Sequence, residues 1–380
     1  MANRSAAERR DLFPFSLVLI MTIVVPCLPA QAQSEEPPDL SELLQQQRAA
    51  IAPQQHREIA ETALAAAEQS MNANDFTQAL KFASLASQSA KRSGNDFVRF
   101  QVETVRGDLP TLAREYKKIG RVEEILTITP EDPEANLELG RFTAFLKGNW
   151  EAGLPLLAKG SDEAIRAVAA ADLRNPTDEA AQIQLARDWL AIAEEEKSSR
   201  HASGIGLRAS HWLRDALRKG KDHPQWKELN ELATESTLRY LTDMEELHVK
   251  EGQFPLGKYG DTGFKRKIIL DEIEFRDGLG LHPPKSGHAS VFYQLDGQYK
   301  SLTAGVGIAE HHEGVAGPVV FTVLGDNRVL WRSGPFDKRN VIQMLQVKLN
   351  RIKILELRTE TTNTTCYGSH AVWLNPSVSK

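Results

Sequence analysis

Cysteine is nearly missing from this chain: 380 residues hold two, Cys27 and Cys366. So small a supply excludes a disulfide-stapled scaffold, and the cores must hold by burial alone. Long apolar runs are missing too. The most apolar stretch, residues 15–25, is shorter than the ~20 residues a bilayer span needs, and Pro26 and Pro29 follow it. Charge of one sign is not in excess: residues 33–236 carry 25 basic and 33 acidic side chains and residues 237–380 carry 18 and 16, so neither part is basic enough for nucleic acid to be a partner. There is no nucleophile elbow, phosphate loop or paired catalytic cysteine, and Gly278-x-Gly280 is not followed by the helix a dinucleotide site requires. Asp271, Glu272 and Glu274 lie along one predicted strand, whereas a glycosidase needs two carboxylates facing each other across a cleft. The pattern predicts a protein that is not an enzyme and has no cofactor.

The N-terminus reads as an export signal over residues 1–32. Arg4, Arg9 and Arg10 form the charged region, residues 15–25 the apolar core, and Ala30-Gln31-Ala32 a small-x-small cleavage site. Asp11 after Arg9-Arg10 spoils a twin-arginine signal, and Pro26 before Cys27 spoils a lipoprotein site. A secreted or periplasmic protein is expected, without a stable membrane span after cleavage. Residues 33–39, with Pro37 and Pro38, read as a linker.

Two different periods divide the rest. Residues 40–236 are rich in Ala, Leu, Glu, Gln and Lys, with apolar residues at helical spacing. Gly94-Asn95, residues 130–133, Asn175-Pro176, residues 204–206 and His223-Pro224 are the expected breaks. Ala73-Asn74-Asp75-Phe76 with Ala79, Ala83 and Ala86 resembles the turn and second helix of a tetratricopeptide-like unit. Gly148-Asn149-Trp150 with Gly153 and Leu157 resembles the turn again, and Ala209 to Trp212 with Ala216 a third second helix. The spacings are not multiples of one period, so a degenerate helical repeat or an irregular bundle is implied. A repeat of this kind implies a protein partner. Residues 147–162 also resemble a segment that recurs in large multidomain bacterial proteins.

From residue 237 the period changes to two. Residues 267–275, 289–295, 301–308, 319–324, 329–333, 342–349, 354–359 and 371–374 are predicted strands, and Gly325-Asp326-Asn327 is a hairpin turn. Eight short strands suit a two-sheet jelly roll, so the fold class is multidomain: a helical, tetratricopeptide-like region over 40–236, then an all-β sandwich over 237–378. Alternation assigns Val291, Tyr293, Leu295, Val319, Phe321, Val323, Leu345, Val347, Leu349, Leu355 and Leu357 to its core.

Several motifs recur there in a fixed order. They are Tyr240-Leu241-Thr242-Asp243, Lys258-Tyr259-Gly260-Asp261, the run from Gly278 to His282, the strand from Val291 to Leu295, Leu330-Trp331, and His370-Ala371-Val372-Trp373. In this order they resemble the NPCBM family, modules first described beside family 98 glycoside hydrolases, over roughly the last third of the chain. The resemblance implies a galactose-binding-like jelly roll that takes carbohydrate. Two places depart from the family: Val372 stands where an acidic residue is common, and Met244-Glu245-Glu246 follows Asp243 in place of an aromatic.

A sugar offers an apolar ring face and a rim of hydroxyls, so its site needs an exposed aromatic with fixed donors and acceptors. Tyr259, Asp261, His282, His311, Trp331 and His370 supply these types at predicted strand ends and are the expected ligand residues. Structural calcium, which related jelly rolls hold, would find oxygen ligands in Asp261 or Asp271. Glu310-His311-His312-Glu313 lacks the spacing of a helical zinc pair and reads as a solvated loop.

Overall fold

The structure, a computed structural model, describes residues 38–309, 317–362, 366 and 368–380. The export signal and most of the linker lie outside them.

Eleven α-helices occur among the described residues: α1 (Leu40–Ala49), α2 (Pro53–Asn72), α3 (Phe76–Ser93), α4 (Asp96–Lys118), α5 (Val122–Ile128), α6 (Pro133–Arg141), α7 (Trp150–Leu157), α8 (Glu163–Leu173), α9 (Glu179–Glu195), α10 (Ser199–Arg218) and α11 (Trp226–Glu235). Their starts are chemically explicit. Asp39, Asp75, Asn95, Asp132, Asn149, Asp162, Asp178 and Ser198 each accept a first-turn backbone N–H through the side chain. Such a cap contributes about 1 kcal/mol, so the sequence fixes where most of these helices begin.

The helices share two apolar clusters. One gathers α1 to α4 with Val122, Ala135, Leu139 and Phe142; the other gathers α7 to α11 with Ala144 and Phe145. The chain passes between them through a π-helical turn, Phe142–Leu146. Its wider winding separates Phe142 from Phe145, which three apart on an α-helix would share a face. Lys147, at its end, is buried and donates to the Asn72 carbonyl (3.0 Å) and to Asn74 Oδ1 (2.8 Å). The turn around Asn74 and the turn around Asn149, distant in sequence, are thereby joined.

The expected breaks at Gly94, Asn175 and His223 fall between helices and residues 130–133 run into the first residue of α6, but residues 204–206 are no break: α10 runs through them without interruption. Gly204 is there for contact. A Cβ on it would stand 2.0 Å from the Phe145 carbonyl oxygen, so α10 can approach the π-helical turn only because the side chain is missing.

The β half is a sandwich of two antiparallel sheets. Its strands are β1 (Leu238–Tyr240), β2 (Glu246–Lys250), β3 (Ile269–Leu270), β4 (Ile273–Glu274), β5 (Leu279–Gly280), β6 (His288–Gln294), β7 (Ser301–Ile308), β8 (Val319–Gly325), β9 (Arg328–Arg332), β10 (Gln343–Lys348), β11 (Ile354–Thr361) and β12 (Ala371–Ser379). One sheet runs β1-β12-β7-β10 with β5 also on β12; the other runs β2-β6-β11-β8-β9. All eleven core residues assigned by alternation are buried in the cluster between the sheets, because a period of two puts alternate side chains on one face.

Residues 267–275, read as one strand, fold instead as the β3–β4 hairpin, with Asp271 (φ 53°) and Glu272 (φ 65°) both left-handed at its turn. That is the backbone of a two-residue hairpin loop, which acidic residues tolerate less well than Gly but better than β-branched ones. The Gly-rich run has a packing role as well: Gly280 exchanges backbone hydrogen bonds with Gly257 (2.9 and 3.0 Å), and a Cβ on Gly280 would lie 2.3 Å from the Thr262 carbonyl oxygen.

The two halves pack on each other. Phe97, in the first turn of α4, is buried with Ile268, Leu270, Phe275, Ile342 and Leu374, its ring edge-on to Phe275 at 5.8 Å. Beside it, Arg57 of α2 pairs with Asp271 at 2.7 Å. Further along the seam α10 meets the segment that follows β1.

Candidate ligand site

Four side chains of α10, Arg208, His211, Arg214 and Arg218, are spaced by three or four residues and so form one stripe down the helix. The stripe faces acids from three other segments. Arg208 pairs with Asp172 of α8, which also accepts the indole N–H of Trp189 (2.7 Å) and of Trp212 (3.0 Å). Arg214 pairs closely with Asp277 and more loosely with Asp243, its Nε 3.5 Å from Oδ2. Arg218 lies 3.9 Å from Asp277 and over the Tyr259 ring, 5.3 Å from its centroid.

A cleft of about 220 Å³ opens beside this stripe, between the two halves. Trp150, Leu207, Leu217 and Leu238 give it apolar walls, and Arg214, Arg239, Tyr240 and Asp243 bring polar groups to it. β1 and the 3₁₀ turn Leu241–Asp243 carry the last three. Arg239 is itself buried, donating to Asn230 Oδ1 and to the Asp243 carbonyl.

The electrostatics follow from burial. Arg214 commits its close bond to Asp277, so Asp243 is left with a long contact and with Oδ1 lacking a protein donor. Burial, only partly countered by Arg214 and reinforced by Asp277, pushes the Asp243 carboxyl up to about 6. Burial and then Asp277 push the Tyr240 hydroxyl up to about 12. Tyr259 is also raised, by burial first and then by Asp243.

The six residues singled out from the sequence do not come together at one place. His282 and His370 meet, ring centroids 5.2 Å apart, inside an aromatic group with Phe254 and Phe264. Both are buried, and His282 Nε2 lies 2.5 Å from the Thr262 carbonyl oxygen, which ties two loops together. Asp261, in one of those loops, accepts from the Gly263 N–H at 2.6 Å. Tyr259 is half-buried at the seam, capped by Arg218 and Lys258. Trp331, on the edge strand β9 of the other sheet, is half-buried against the sandwich core. His311 lies outside the described residues. Asp271, considered for calcium, faces the Arg57 guanidinium. Among the described residues no group of three or more His, Cys, Asp or Glu stands close enough to hold a metal ion.

The cleft residues Arg214, Arg239 and Trp150 escape a reading of the sequence by segment. The one signal, and for Arg214 alone, is the spacing of cations on α10, whose complement lies in acids brought near only by the fold.

Residues 237–379 match the family described as NPCBM/NEW2 domain, so the β half is an NPCBM domain. Similar solved structures include CBM51 from Clostridium perfringens GH95 in complex with methyl-galactose, at 18% identity and a TM-score of 0.34, over 38% of this chain and 100% of that one. CBM51-2 in complex with GlcNAc and INT domains from Clostridium perfringens ZmpB shows 18% identity and a TM-score of 0.34, over 38% of this chain and 32% of that one. The tandem CBM51 modules of Sp3GH98 from Streptococcus pneumoniae show 21% identity and a TM-score of 0.32, over 43% of this chain and 49% of that one. The chain thus spans the whole of an isolated module and under half of the longer chains. No curated protein matches it.

Proposed function

We propose that this chain is an exported, non-catalytic carbohydrate-binding protein, with the NPCBM domain from residue 237 as its glycan-binding part and the helical part, residues 40–236, as a tetratricopeptide-like docking surface for another protein. The observation that carries the carbohydrate reading is the family match over residues 237–379. Export rests on the basic, apolar and small-x-small order of residues 1–32; among the described residues no helix is long and apolar enough to cross a membrane.

Within the domain, the partly exposed Tyr259, Asp261 and Trp331 are the side chains we assign to sugar contact. The buried His282 and His370 act by holding the neighbouring loops, His282 through its bond to Thr262. Recognition needs no chemistry beyond ring-face contact and hydroxyl hydrogen bonds.

The test is a glycan array probed with the full chain from residue 33, with and without calcium. Reproducible binding to a related set of glycans supports the reading; a folded protein that binds none of them ends it. A second reading is favoured by the seam itself: the ion pairs of Arg57 and Arg214 make the β domain a packing partner of the helices, so the whole chain serves as an interaction scaffold. Silence on the array moves the weight there.

A further inference from the structure

The cleft between the two halves is small, chemically mixed and left unfinished by the protein's own contacts. Its volume, about 220 Å³, falls below the roughly 300–1,000 Å³ of pockets that hold drug-sized molecules, so it has room for one sugar unit and not for a chain. Asp243 and Arg239, both 5% exposed, line it. Asp243 Oδ1 and Arg239 Nε have no hydrogen-bond partner in the protein. An unpaired acceptor and an unpaired donor, on two buried side chains that line the same cleft, are costly unless something supplies the complementary groups.

Charge decides which kind of molecule that is. Of the three guanidiniums that line the cleft, Arg208 pairs with Asp172, Arg214 with Asp277 and more loosely with Asp243, and Arg239 donates to Asn230 and to the Asp243 backbone carbonyl, so the cleft is not a site of one charge sign. A charged ligand would therefore enter with its own charge uncompensated, whereas a hydroxyl can donate to a carboxylate and accept from a guanidinium in turn. The walls of Trp150, Leu207 and Leu217 suit the apolar face of a ring.

We propose that this interdomain cleft is a binding site for a single neutral sugar unit, built jointly by α10, Trp150 and the segment from Leu238 to Asp243. It rests on the carbohydrate reading for the class of ligand and goes beyond it in location, because half of the site belongs to the helical part. Asp243 accepts from ring hydroxyls, Arg239 donates to them, and α10 closes one side. On this reading the helices complete a sugar site that the β domain does not hold alone.

The experiment is calorimetric titration of the full chain with methyl galactoside, N-acetylglucosamine, glucose and mannose, each beside glucuronate as the charged comparison. At least one neutral sugar binds, glucuronate binds about tenfold more weakly or not at all, and Asp243→Asn lowers the neutral sugar's affinity by about tenfold or more, as loss of a hydrogen bond to a charged group does. Ser210→Trp, placed on the partly exposed face of α10 where it lines the cleft, fills the cavity without touching a buried charge and abolishes binding while the thermal transition stays in place. Sugar binding that both variants retain, and that Trp331→Ala or Tyr259→Ala removes, overturns the cleft and leaves the carbohydrate reading standing. Absence of any binding, on the array and in the titration alike, overturns both.

Discussion

Phe97→Ala is the sharpest perturbation of how the two halves are joined. Phe97 belongs to a helix whose other apolar residues, Val98, Val102, Leu109 and Leu112, face the first helical cluster, yet its own ring is buried among residues of the β half. At 2% exposure, with Phe275 edge-on, it has the environment of a core position. Truncation of such a Phe costs about 3–5 kcal/mol, covering lost transfer energy and the cavity left behind. Neither half loses its own core, so the loss falls on the docking of one half against the other. In urea, the wild type is expected to unfold with the helical far-UV signal and the backbone amide resonances of β11 and β12 moving together. In the variant the two signals separate and the midpoint of the less stable half drops. Val102→Ala, inside the helical cluster, serves as the comparison: it destabilises the helices without adding a seam defect. A Phe97→Ala protein that loses less than about 1 kcal/mol, with both signals still coincident, would show that this ring does not join the halves and refute the packing argument.

Other consequences are separable. Burial, only partly countered by Arg200, raises the Asp108 carboxyl to about 7; the folded state therefore holds its proton longer than the unfolded chain does, and stability contributed by this group falls as pH rises from about 4 to about 7. The three-unit difference corresponds to at most about 4 kcal/mol, and Asp108→Asn is expected to flatten that part of the stability profile in denaturant titrations from pH 4 to 8. Asp172→Ala leaves Arg208 and two indole N–H groups without their shared acceptor, an expected loss of about 3–5 kcal/mol that chemical denaturation reads directly. Gly204→Val drives a side chain into the Phe145 carbonyl and is expected to yield little soluble, helical protein; normal expression with an unchanged circular dichroism spectrum would contradict the close approach of α10.

Much of the architecture is legible because it is encoded locally. Asp75, Asn95 and Asp178 announce helix starts by the chemistry of a single side chain against the next turn. The alternation from Val291 to Leu295 announces a half-buried strand for the same reason, and every residue it nominated for the core is buried. The misreadings arise where one residue type has two uses. Gly204 reads as a breaker, yet its value is the absent Cβ against a carbonyl that arrives from another helix. Asp271-Glu272 reads as part of a strand, yet both take the left-handed turn of a hairpin, with Arg57 set against Asp271.

The candidate site divides in the same way. Tyr240-Leu241-Thr242-Asp243 and Tyr259 are visible as motifs, and the acids and cations around them can be listed from the chain. Their pairing cannot. Arg214 and Asp277 stand 63 positions apart, and nothing in either neighbourhood specifies the other. The sequence by itself determined the two periods, the helix caps, the sandwich core and the membership of residues 237–379 in the NPCBM family, because those depend on spacing along the chain. Only the tertiary structure decided that Phe97 crosses into the β half, that Asp277 takes the close bond of Arg214 and leaves Asp243 open, and that a cleft forms between them. Burial and charge compensation are properties of what surrounds a group in space.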